Sequence, residues 1–122
     1  MTTTIVLDDG RVWGHQNWAF DSAIEAIAAV IGRDPSGHEL SAWLLEQRCA
    51  IQGPGIGYID TRELTPDNRA RFRAAIPVAF AEVRARGGAH WHDPSSFLAW
   101  VDSFERLLQM VESIARGEPP ER

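Results

Sequence analysis

TIVLDDGRVW, residues 4–13, decides between an all-helical chain and a mixed one. Ile5-Val6-Leu7 is a β-prone run, Asp9-Gly10 is a tight-turn dipeptide, and Arg11-Val12-Trp13 returns along it. That pattern predicts a β-hairpin. Two short strands cannot stand alone in water, so the hairpin needs an apolar surface to lean on. The rest of the chain supplies one, because almost everything that follows has helical spacing.

Phe20, Ile24, Ile27 and Ile31 fall at i, i+4, i+7 and i+11, which predicts a buried helix over 18–31 with Gly32 as its stop. A second helix starts at Asp34-Pro35 or at Ser36, where Ser36 and Glu39 have capping-box spacing. Leu40, Trp43, Leu44 and Gln47 continue it. QGPGIG, residues 52–57, breaks the chain and leads into a strand from Ile56 to Glu63, expected to pair with the hairpin. Leu64-Thr65-Pro66-Asp67 opens a long helix, with Thr65 as N-cap and Pro66 at the first helical position. Phe72, Ile76, Phe80 and Val83 mark its buried side, Pro77 predicts a kink near 73–77, and Gly87-Gly88 ends it. The last helix is expected over 94–116, with a seam of Phe97, Val101, Phe104, Leu108 and Val111.

The element order is therefore ββααβαα. The expected class is α+β, with a small antiparallel sheet (the N-terminal hairpin plus one later strand) packed against about four helices. Residues 1–117 are read as one globular domain and 118–122 as a short flexible tail. At 122 residues with 44% hydrophobic content, the chain has enough material for one core. No apolar run approaches the roughly 20 residues of a membrane-spanning helix, and MTTTIVLDDG has no secretory pattern. A cytoplasmic protein without a membrane partner is the expectation. The formal net charge of −5 speaks against a nucleic-acid partner. Residues 1–64 carry nine acids against four arginines, whereas 65–93 carry three against five. Cys49 is the single cysteine, so no internal disulfide forms, and its apolar surroundings point to a buried structural thiol.

The chemistry-bearing stretch is HWHD, residues 90–93. His90 and His92 would project to one side of an extended backbone and Asp93 could add a third ligand, which gives a metal reading. The competing reading takes Asp93-Pro94 as a helix N-cap and first-turn pair, the device already used at Thr65-Pro66 and Asp34-Pro35. No G-x-S-x-G or H-E-x-x-H occurs. The carboxylate pairs Asp8/Asp9, Asp60/Glu63 and Asp102/Glu105 all read as turn or surface residues. Arg69, Arg71 and Arg73 form the one basic cluster and read as solvated. No catalytic residue and no cofactor is assigned. Of five tryptophans, Trp43 and Trp100 lie on apolar helix stripes and are expected in the core. Trp13, Trp18 and Trp91 lie at segment ends, where tryptophan is favoured at binding hot spots.

GYIDTRELTPDNRARFRAAIPVAFAEV, residues 57–83, resembles small bacterial immunity proteins of polymorphic toxin systems. In some of these a strand ending in an R-E-L-type corner leads through a T/S-P-x-N-R start into an alanine-rich helix. The resemblance implies a cytoplasmic, non-catalytic protein that binds and neutralises a cognate toxin, without a cofactor. The residues expected to bind the toxin or another protein partner are Trp13, Trp18, His90, Trp91 and His92. Two alternatives stay open: a metal-binding protein or metal-dependent enzyme using His90, His92 and Asp93, and a homodimeric adaptor.

Overall fold

In the computed structural model, residues 3–53, 55–89 and 93–119 are described. The hairpin forms as read: β1 (Thr3–Val6) runs antiparallel to β2 (Val12–His15), with Ile5 opposite Trp13. Residues directly opposite share a face of the sheet, and both Ile5 and Trp13 are buried. Gly10 takes a positive φ of 90° in the connecting turn, a conformation open to glycine at little cost. Arg11 closes the turn by donating its N–H to Asp9 Oδ1.

The later strand is shorter than expected and pairs the other way. β3 is Tyr58–Asp60, and it lies parallel to β1 with Ile5 opposite Ile59. The sheet has the order β2-β1-β3 and is mixed, not wholly antiparallel. A parallel pair needs a crossover connection rather than a tight turn. Here the helices between β2 and β3 provide it. Thr61–Glu63 leave the strand as a 3-10 turn, because the Asp60 carboxylate captures the Arg62 N–H and bends the chain out of the ladder.

α1 (Asn17–Ile31) buries Phe20, Ile24 and Ile27 completely. A 3-10 turn, Pro35–Gly37, capped by Asp34 through Ser36 N–H, leads into α2 (His38–Glu46). Ser41 Oγ donates to Ala28 O at 2.8 Å, fixing α2 against α1. The second helix ends at Glu46, Cys49 opens a separate turn, α3 (Cys49–Gln52), and its side chain is buried and in no disulfide. α4 (Pro66–Arg86) begins with Thr65 capping Asn68 N–H, and it continues through the exposed Pro77 without interruption. α5 (Pro94–Ala115) begins with Asp93 capping Ser95 N–H.

The core lies where α1, α4 and α5 meet beneath the sheet, with Phe72, Ile76, Phe104 and Leu107 fully buried. Phe104 packs edge-on against both Phe80 and Trp100, at centroid separations of 5.7 and 5.5 Å, a geometry that favours aromatic pairs. The Trp100 indole N–H donates to Ala19 O, joining α5 to α1. Glu118, placed in the tail from sequence, is held to the body. Its carbonyl accepts from Arg11 Nη2 and its carboxylate from Ser113 Oγ.

Candidate functional site

Of the five tryptophan and histidine positions expected to bind a partner, Trp13 and Trp18 are described, and the fold sets them in different surroundings. Trp13 is only 3% exposed and donates its indole N–H to Ser103 O at 2.9 Å. It is a core residue that staples β2 to α5, and its ring is not offered to a partner. The alternation along β2 explains the difference, since neighbouring Val12 points outward and is 53% exposed. Trp18, in the first turn of α1, is 38% exposed and is braced by Gln16 Oε1 at 2.9 Å from its Nε1. His90, Trp91 and His92 lie outside the described residues. Asp93 is described, and both of its oxygens serve the start of α5: Oδ1 accepts from Ser95 N–H and Oδ2 from Ser96 Oγ. Among the described residues, no three of His, Cys, Asp and Glu come together in a metal-binding group.

Of the carboxylates considered for acid–base work, Asp8, Asp9, Asp60 and Asp102 are tied into ion pairs. Asp8 meets Arg73 at 2.9 Å and stands 2.8 Å from Thr61 Oγ1, so the end of β1 is clamped to α4 and to the residue after β3. Asp60 holds Arg62 bidentately, through Nε at 3.0 Å and Nη2 at 2.8 Å. The Arg62 hydrogen bonds keep the Asp60 carboxyl below its ordinary range, against the opposing effect of burial. Asp9 is likewise lowered by its side-chain bond to Arg11, and Asp102 pairs with Arg106 one helical turn on. The basic cluster is divided: Arg73 serves Asp8, and Arg71 donates to Asn68 Oδ1.

Two surfaces that sequence reasoning missed stand out instead. Three of the seven large exposed hydrophobics among the described residues lie close together in sequence: Ile51 at 60%, Ile56 at 57% and Tyr58 at 51%, the others being Val12, Trp18, Val78 and Leu98. Asp21 of α1 fixes one end of this segment by accepting the N–H groups of Cys49 at 2.7 Å and Ala50 at 3.0 Å. Gly57 fixes the other, passing so close to Phe20 and Cys49 that a Cβ there would lie 2.7 Å from the Phe20 ring and 2.8 Å from Sγ. Ile56 lies just before β3 and Tyr58 opens it, on an outer strand of the sheet, with both side chains exposed. Trp18 stands one helical turn before Asp21 on α1.

The second surface is a cleft of about 430 Å³ between α2 and the start of α4. Trp43, expected in the core, is only partly buried and lines this cleft with Glu39, Glu63 and Leu64. Helical spacing placed Trp43 on an apolar stripe, and the stripe is wider than the surface α1 covers. A signal existed in the sequence: Glu39 lies four residues before Trp43, on the same helix face.

Compared with known proteins, the chain matches no family model, no curated protein and no solved structure. Among the described residues no helix is long and apolar enough to cross a membrane.

Proposed function

We propose that the chain is a cytoplasmic, non-catalytic protein-binding domain, an immunity protein that binds and neutralises a cognate toxin. The observation that carries this reading is the exposure of Ile51, Ile56 and Tyr58 beside two points of tight attachment, the Asp21 bonds to Cys49 and Ala50 and the close approach of Gly57 to Phe20. Apolar and aromatic groups on a rigid frame suit a protein interface, because little side-chain and backbone freedom is lost when they are covered. The resemblance of residues 57–83 to immunity proteins supplies the partner class, and the net charge of −5 suits a basic partner.

The test is protection in a growth assay. The chain is co-expressed with the product of the adjacent gene in its genome, which this reading expects to be toxic alone. Growth should be rescued, and the double substitution Ile56→Ser with Tyr58→Ala should reduce rescue while leaving the fold intact. A neighbouring product that is not toxic, or a toxic one that is neither bound nor neutralised, would overturn the proposal.

A further inference from the structure

We infer that the cleft between α2 and α4 receives an arginine or lysine side chain of the partner protein, with Trp43 as its wall and Glu39 and Glu63 as its counter-charges. This rests on the protein-binding reading above and names the chemistry of one contact within it.

The cleft combines three features that a long cationic side chain requires. Leu40 is buried and Leu64 half-buried, giving an apolar floor along which an aliphatic stem can lie. Trp43 lines the cleft, and indole is the aromatic ring that attracts a guanidinium or ammonium group most strongly. Glu39 and Glu63 are both exposed, and neither takes part in the ion pairs formed among the described residues.

The chain's own cations nearby are committed elsewhere. Arg62, adjacent to Glu63, is held bidentately by Asp60. Arg71 donates to Asn68, whose own N–H is taken by Thr65 Oγ1. The polar groups of the rim are thus internally engaged, and the two carboxylates are the charges left facing the cleft. A hard metal ion would be poorly served by indole and leucine walls. A second copy of this chain, itself at −5, would bring net like charge to an acidic half. A cationic side chain from a different protein fits all three features.

The probe is N-acetyl-arginine amide, added to the full-length chain while the Trp43 indole N–H resonance is followed by NMR and identified with Trp43→Phe. N-acetyl-citrulline amide, isosteric and uncharged, is the control. The expected result is a saturable shift with the arginine compound and roughly tenfold weaker apparent binding of the citrulline compound. Glu39→Gln with Glu63→Gln should lower the arginine affinity by a similar factor, on the order of tenfold. Both positions are exposed, so folding should be unaffected, as circular dichroism would verify. No shift with arginine, an equal shift with citrulline, or a shift produced by raising protein concentration alone (a second copy in the cleft) would each overturn the inference. Because no toxin is used, this outcome is independent of the co-expression result.

Discussion

Trp13 and Ser103, 90 positions apart, are joined by an indole N–H to carbonyl hydrogen bond of 2.9 Å. A two-stranded hairpin has too little surface to hold itself, and this bond docks it on the last helix while burying the whole indole. Trp13→Ala should therefore cost about 3–5 kcal/mol through lost burial and a residual cavity. Trp13→Phe, which loses the donor and part of the ring, should cost roughly 1–3 kcal/mol. Trp18→Ala, at a partly exposed position, should cost under about 1 kcal/mol. Urea unfolding of the three variants checks the order.

Asp21 links α1 to the binding segment by accepting two consecutive backbone N–H groups of α3. A four-residue helix has almost no stability of its own, so the carboxylate holds the turn in place. Asp21→Ala should cost about 1–2 kcal/mol. Amide exchange at Cys49 and Ala50 should accelerate well beyond that of the α4 core. Ile51 would then be displayed on a loosened frame, and partner affinity should fall with it.

Gly57 is the narrow point of the same segment. A methyl group there meets the Phe20 ring and the Cys49 sulfur at under 3 Å, and both neighbours are buried. Gly57→Ala should destabilise by roughly 1–3 kcal/mol, as overpacking does. It should also shift the Tyr58 backbone resonances, because relief requires β3 to move away from α1.

Asp60 gives the chain a defined acid sensitivity. Its carboxyl is held below the ordinary 3.8 chiefly by the side-chain bond from Arg62. A carboxylate more acidic in the folded state stabilises the fold fully above the unfolded value, and that contribution disappears as pH falls through the lower folded value. Arg62 is half-exposed, so the effect is screened and modest. Asp60→Asn should lower the melting temperature modestly near neutrality, and the two proteins should converge as pH falls below about 4. A melting series at low pH compares the two proteins directly.

The parts of the fold legible in the sequence were those written in short-range chemistry. Asp34-Pro35, Thr65-Pro66 and Asp93-Pro94 all start helical turns, each with the side-chain cap that its residue type allows. The faces of α1 and α4 followed from their spacing, and Phe20, Ile24, Phe72 and Ile76 are all fully buried. The parallel pairing of β1 with β3 was not legible, because a strand of three residues carries no directional signal. Its orientation is set by where three intervening helices deliver the chain.

The candidate site was less legible for a related reason. Trp13 and Trp18 look alike in sequence, yet strand alternation buries the first and a helix start exposes the second. Tyr58 and Ile59 face opposite sides as strand alternation requires, whereas Ile51 and Ile56 gave no periodic signal, their setting depending on the Asp21 bonds and on the approach of Gly57 to Phe20. The HWHD stretch sharpened only at its end, where Asp93 proves to be a helix cap.

The most direct measurement is isothermal titration of the purified chain with the product of its neighbouring gene, inactivated by substitution so that it can be handled. The account predicts a saturable one-to-one complex, weakened at least tenfold by Ile56→Ser with Tyr58→Ala, which removes two exposed apolar anchors. A flat isotherm, or full affinity in the double variant, would contradict it.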